Sequence, residues 1–294
     1  MEEEVAKMLG ELKFTDEEMQ DLEGAEMILE KEVPGSEKWL VGKLVSPGIV
    51  DGPMLIRVFI AVWREQPLVD ATKLGPNMFL FKFGRMEGRD FVFDRVPWTF
   101  NGELLALKAF DGKLSPTEYD FCPLPIWIRV YDLPLTGMDV EIGKAIARKF
   151  GECLTADFRR GEGRFGEYMR IRAVIDSSKP LRRCVIVGKL NDGSPRVCMA
   201  KYERLPRFCY WCGTIGHELD LCLVAPNNVR EDQLQFGDWM RVKFKPKSAS
   251  LGAPKPGLVH FNSMNSGAGK FKKAVEVVED NTITVGNVSA RGKM

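Results

Sequence analysis

The spacing of Cys209, Cys212, His217 and Cys222, C-x2-C-x4-H-x4-C, constrains this chain more than any other feature. Three thiolates and one imidazole form a closed tetrahedral set that suits zinc and leaves no open position for a substrate water. The two residues between the first cysteines allow one tight turn to aim both sulfurs at the same ion. Gly213 and Gly216 let the backbone turn back, including through positive φ, before His217 arrives. So short a segment cannot bury a core, so the metal must supply its folding free energy, on the order of 10 kcal/mol or more. The chain has 7 Cys and 2 His. That three of the former and one of the latter fall in this register, with glycines at the turns, makes chance a poor account.

The pattern resembles the CCHC zinc knuckle of retroviral and retrotransposon nucleocapsid proteins. That resemblance implies that Tyr210, just after the first cysteine, is the aromatic that stacks on an unpaired base, with about 1–3 kcal/mol per base and little dependence on sequence. Trp211 and Phe208 are further platforms, or else they pack against the knuckle and the preceding domain. The chain departs from many such knuckles in carrying Glu218 and Asp220 after His217. Phosphate attraction must therefore come from elsewhere, and Lys201, Arg204 and Arg207 stand just upstream.

At 294 residues the length allows about two domains. A hydrophobic fraction of 45% with 28% charged residues describes a globular chain. The net charge of +1 conceals an uneven distribution. Residues 1–32 carry 12 acidic and 3 basic side chains, and the remainder is net positive. An acidic arm, residues 1–35, thus precedes a basic body, a distribution compatible with polyanion binding or with an ordinary solvated tail. The N-terminus does not read as a secretory signal, and no stretch has the apolar length of a membrane span. An intracellular setting, nuclear or cytoplasmic, with Cys122, Cys153, Cys184 and Cys198 as reduced, buried thiols is the expectation.

The apolar pattern predicts an α+β fold in several parts. Residues 36–114 read β-α-β-β-α-β: strands at 39–45, 68–73, 78–83 and 103–108, and helices over 51–64 and 86–95. This is the order of a ferredoxin-like or RRM-like unit. The basic–Gly–aromatic signature of an RNA-recognition strand is missing from residues 79–83. Phe79, Phe81 and Phe83 share one strand face and are expected to fill the core beneath the helices, the alternative being a stacking platform. A proline-bearing linker, residues 115–125, leads to a second strand-rich unit over 125–204. Its helix falls within 138–150, with Val140, Ile142, Ile146 and Phe150 as its apolar residues, and further strands follow at 152–158, 166–175, 182–189 and 195–203. In the long strand Tyr168, Arg170 and Arg172 alternate with Met169, Ile171 and Ala173. That leaves an Arg/Tyr face that is either a platform for single strands or a solvated sheet surface. The knuckle occupies 205–224, and a flexible basic tail, 243–294, carries Lys245, Lys247, Lys255, Lys270, Lys272 and Lys273.

Several runs beyond the knuckle carry a wider resemblance: residues 39–45, 96–102, 125–134, 179–183, 201–206 and 236–241. Together they resemble a plant domain of unknown function that precedes a CCHC knuckle in retrotransposon-derived proteins. The resemblance covers roughly residues 36–242 and implies a Gag- or ORF1-like nucleic-acid-binding protein. Read from the residues, the leading function is zinc-dependent binding of single-stranded RNA or DNA, with self-association as a further possibility. The alternative is a protein–protein adaptor in which the knuckle is purely structural. Catalysis is not expected, because one histidine is committed to metal, the other stands in the tail, and no phosphate loop or nucleophile–base pair is present.

Overall fold

In the computed structural model, residues 12–20, 31–64, 66, 68–157 and 167–243 are described, together with the backbone of three short strands beyond them. Most of the acidic arm, residues 158–166 at and between the ends of two expected strands, and the tail lysines beyond Lys243, apart from Lys273, fall outside these residues. Among the described residues no helix is long and apolar enough to cross a membrane.

The fold is α+β. Strand β1 (Trp39–Val45), helix α1 (Gly52–Val62), β2 (Leu68–Gly75), β3 (Met78–Phe83), α2 (Met86–Asp94), β4 (Trp98–Phe100) and β5 (Glu103–Ala109) make the first unit. Its strands lie in the order β4-β5-β1-β3-β2, with β1 antiparallel to both β3 and β5. The α1 boundary is chemically marked: Asp51 accepts the Met54 N–H, and Pro53 stands in the first turn. The short strand β4 lies in a stretch to which the apolar pattern assigns no element. Asn101 and Gly102, both at positive φ, close it onto β5 as a tight hairpin.

The second unit comprises β6 (Pro123–Tyr131), α3 (Val140–Ala147), β7 (Glu152–Asp157), β8 (Tyr168–Asp176), β9 (Cys184–Lys189) and β10 (Pro195–Tyr202). Its order, β9-β10-β6-β8-β7, repeats that of the first sheet strand for strand. One element is missing from the repeat: residues 177–183, which take the place of the second helix, are not helical. The inward stripe of α3 is Gly143, Ile146 and Ala147, whereas Val140 and Ile142 are exposed. Of the expected grouping, Ile146 is buried and Phe150 packs against the core, but Val140 and Ile142 do not share that face, because residues two apart on a helix point in different directions. Cys122, expected to be buried, is exposed at the entry to β6.

Helices α1 and α2 cover one face of the first sheet. Phe79, Phe81 and Phe83 are buried there among Phe59, Trp63 and Trp98, as the core reading expects. The opposite face is buried as well. Val41, Met78, Leu80, Leu104 and Ala106 join a continuous apolar cluster with the second sheet's Ile126, Ile128 and Ile171 and with Phe208, Ile215 and Met240 from the knuckle region. Burial on both faces explains why β3 and β5 are apolar almost without interruption. Strands β6 and β8 differ, alternating strictly between buried and half-buried positions. Beyond the body, Val259–His260, Lys273–Val277 and Thr282–Asn287 form strands, the last of them pairing parallel to β4.

Gly151, between α3 and β7, has the Val174 carbonyl where a Cβ would stand. Because the obstacle is backbone, Gly151→Ala is expected to destabilise the fold by about 1–3 kcal/mol, read from the midpoint of a urea titration. An unchanged midpoint would mean that β7 can move away from β8 at no cost.

Candidate metal centre and its seat

Phe208 and Ile215 form an antiparallel bridge that opens the knuckle. The Cys209 N–H donates to the Thr214 carbonyl at 2.9 Å, and the Gly213 N–H donates back to the Cys209 carbonyl at 2.9 Å. Gly213 at φ 77° and Gly216 at φ 103° supply the turns expected of them. A short 3-10 turn, Leu219–Leu221, then delivers Cys222. The outcome is convergence: ligand atoms of Cys209, Cys212, His217 and Cys222 all lie within 4.8 Å of one another. A tetrahedron with bonds of about 2.3 Å has edges of about 3.8 Å, so this spread suits a single cation of zinc's kind. The donor set, three sulfurs and one imidazole, points the same way. Burial pushes the Cys209 thiol up to about 11, so a cation must displace its proton on binding.

The knuckle is seated rather than tethered. The Gly216 position lies against Val45 of β1, where a Cβ would come within 2.7 Å of the valine side chain. The Gly213 position faces the ring of Phe236, which leaves no room for a Cβ. The Leu181 N–H donates to the Gly213 carbonyl at 2.9 Å, which ties the knuckle to the segment that replaces the missing helix. After the knuckle the chain returns over it. The Phe236 N–H donates to the Tyr210 carbonyl, and the Val242 N–H to the Tyr202 carbonyl. Arg241 donates to the carbonyls of Leu205 and Pro206 while its guanidinium lies over the Phe208 ring.

Arg207 forms the central clamp. Its backbone N–H donates to the Gly102 carbonyl at 2.7 Å. Its side chain reaches Glu103 of β5 at 3.0 Å, the Asn101 carbonyl at 3.0 Å and Glu218 of the knuckle at 3.1 Å. Glu103 is 7% exposed, and burial pushes its carboxyl above the ordinary range even though Arg207 pulls it down. Arg204, at φ 52°, donates to the Arg95 carbonyl at 3.2 Å. Both arginines named from the sequence as phosphate contacts thus make structural bonds to the first unit. Tyr210 is half-buried, with its ring 5.1 Å from that of Phe208. Trp211 is half-buried as well, and its backbone N–H donates to the Cys209 sulfur. Sequence reasoning gave no role to Glu103, Phe236 or Arg241. The packing alternative for Phe208, which is buried in the shared core, was the hint of the seat; Gly213 and Gly216 were read for their turns alone.

With this geometry in hand, the class of site is a CCHC zinc knuckle, and residues 175–224 match the zinc knuckle family. Residues 36–118 match a domain of unknown function, DUF4283. The chain is also similar to an Arabidopsis thaliana protein, the uncharacterized protein At4g02000, with 25% identity over 173 residues and 53% of each chain covered. The chain therefore spans about half the length of that curated relative. Among solved structures it is similar to the three N-terminal RNA binding domains of the yeast splicing factor Prp24 (14% identity, TM-score 0.22, 53% of this chain and 67% of that one). It is also similar to a Sxl-lethal protein–RNA complex (11%, TM-score 0.22, 56% and 98%) and to the first two RRM domains of yeast Pub1 (12%, TM-score 0.20, 56% and 98%). Overlap at these scores is slight, so the RRM-like description rests on strand order within each sheet.

Replacing Arg207 with Met leaves the buried Glu103 carboxylate without its cation. Arg207 is itself more than a third exposed, so the screened attraction counts for less than the orphaned acid. A loss of about 1–3 kcal/mol is expected in chemical denaturation, with much of it recovered when Glu103→Gln is added. Additive losses in the double variant would argue against the clamp.

Proposed function

We propose that this protein is a zinc-dependent binder of single-stranded RNA or DNA, non-catalytic and Gag- or ORF1-like in character. The observation that carries this reading is the convergence of Cys209, Cys212, His217 and Cys222, with Tyr210 and Trp211 standing between the first two of them in the chain. In this reading the ion is zinc, held by all four side chains, and it fixes the turn from which the aromatic residues act. Stacking on Tyr210 and Trp211 supplies contact with any unpaired base. The acidic character of the knuckle is reduced because Arg207 already answers Glu218. Phosphate attraction falls to Lys201, Lys243 and the tail lysines, together with whatever charge Arg204 and Arg207 project past their structural bonds. The order of parts, an α+β domain followed by a knuckle, supports the retrotransposon-derived reading.

A second reading is supported by the seat itself. Arg207, Phe236 and Arg241 bind the knuckle into the body. That is what a purely structural zinc site needs if the protein is an adaptor between other proteins.

Titration of labelled single-stranded RNA with zinc-loaded protein separates the two. The nucleic-acid reading expects affinity that falls steeply with added salt and weakens about 5- to 150-fold in Trp211→Ala, the equivalent of about 1–3 kcal/mol. Absence of salt-sensitive binding to either RNA or DNA would leave the adaptor.

A further inference from the structure

The two sheets share one strand order but not one environment. The face of the first sheet turned away from its helices is built into the continuous core with Phe208 and Ile215. The equivalent face of the second sheet is not apolar. On β6 it carries Trp127, Arg129 and Tyr131, set opposite Arg172, Arg170 and Tyr168 of β8 in that register. Lys201 of β10 stands beside Arg129 on the same face. All these side chains are half-buried, while their strand neighbours point into the core.

The face is ordered by charge. Arg170 lies 3.6 Å over the Trp127 ring, Arg129 4.5 Å over Tyr168, and Lys201 5.1 Å over Tyr131. The Tyr131 and Tyr168 rings are 5.4 Å apart. Beneath them Glu203, 6% exposed, accepts from Arg129 at 2.6 Å and from Arg170 at 3.0 and 2.8 Å, and Asp157 takes a further Arg170 N–H at 3.2 Å. Burial pushes the Glu203 carboxyl up, but its bonds to the two arginines pull it below the ordinary range, so it is ionised at neutral pH. The Arg170 guanidinium has its edge committed to carboxylates and one face of its plane laid on Trp127, and what remains for a ligand is the other face. Guanidinium planes and aromatic rings are the two side-chain surfaces on which unpaired bases stack. Arg172 donates to the Asp94 carbonyl at 2.6 Å, so the first unit borders the face at its Trp127–Arg172 end and Tyr131 and Tyr168 mark the other. Trp127 and Tyr131, four residues apart on one strand, span roughly 13 Å.

We propose that this face of the second sheet is a second contact surface for single-stranded nucleic acid, separate from the knuckle. Bases stack on Tyr131, Tyr168 and the Arg170 plane, and Lys201 attracts phosphate. The proposal rests on the nucleic-acid reading above. Glu203 serves as its positioning residue: it holds two guanidiniums on their rings before any ligand arrives, which lowers the ordering cost of binding.

The test uses full-length, zinc-loaded protein and a labelled single-stranded RNA of about 20 nucleotides, long enough to reach beyond one stacking site. Tyr131→Leu/Tyr168→Leu is expected to weaken binding about tenfold and Lys201→Gln to flatten the salt dependence, with thermal melting near that of the wild type. Photocrosslinking of the wild type, read by mass spectrometry, is expected to mark peptides from β6 and β8 as well as the knuckle. Wild-type affinity in the double variant, or crosslinks confined to the knuckle, overturns the second surface and leaves the nucleic-acid reading standing. No binding by the wild type at low salt overturns both. Should the double variant melt early, the wild-type crosslinks decide alone.

Discussion

The structure depends on the seating of a turn that carries four metal-ligating side chains against a sheet. Alone, the knuckle is too small to bury a core, and its order would rest on the ion. Here its apolar residues Phe208 and Ile215 belong to the larger of the two apolar clusters among the described residues. Arg207 joins the knuckle's Glu218 to Glu103 at the first residue of β5. The arrangement is mutual: the first sheet needs something to cover Val41, Leu80 and Leu104, and the knuckle region needs a surface on which to be rigid. The second unit takes part because it lacks one helix. The segment left in its place offers the Leu181 N–H to the knuckle, and the Tyr202 hydroxyl holds that segment through the Arg182 carbonyl.

Local features were legible in the sequence because short-range geometry decides them. Four ligands spread over Cys209 to Cys222 need only turns, and the glycines that allow those turns stand in the same stretch. Strand positions followed from the apolar pattern, since a strand states its own burial. The run of β3, apolar but for Lys82, already carried the message of two covered faces, and the alternation of β8 that of one. The seat was not legible. Arg207 and Glu103 are far apart in the chain, and nothing near either names the other. Strand β4 escaped notice despite the Asn101–Gly102 signal, because three residues are too few to show a period. The α3 stripe was misread because Val140 and Ile142 are apolar yet point to solvent. An exposed apolar residue looks like a core residue when only composition is counted.

The two sheets show how one topology is put to different uses. Where the outward positions are Val41, Leu80, Leu104 and Ala106, the sheet becomes an internal partition between helices on one side and the knuckle region on the other. Where they are Trp127, Arg129, Tyr131, Tyr168 and Arg170, charge keeps the face from being absorbed into a core, since each buried guanidinium would need its own carboxylate. Glu203 and Asp157 serve as those carboxylates for Arg129 and Arg170, and they hold the cations against the aromatic rings.

Amide hydrogen exchange tests most directly whether the knuckle is part of the core. It would be followed for metal-loaded and chelated protein, with attention to Trp39–Val45 and Glu103–Ala109, strands that hold none of the ligands. Seating of the knuckle on the first sheet predicts that metal removal accelerates exchange in both strands as well as within Cys209 to Cys222. Faster exchange confined to the knuckle, with β1 and β5 protected as before, would contradict it and make the knuckle a separate appendage.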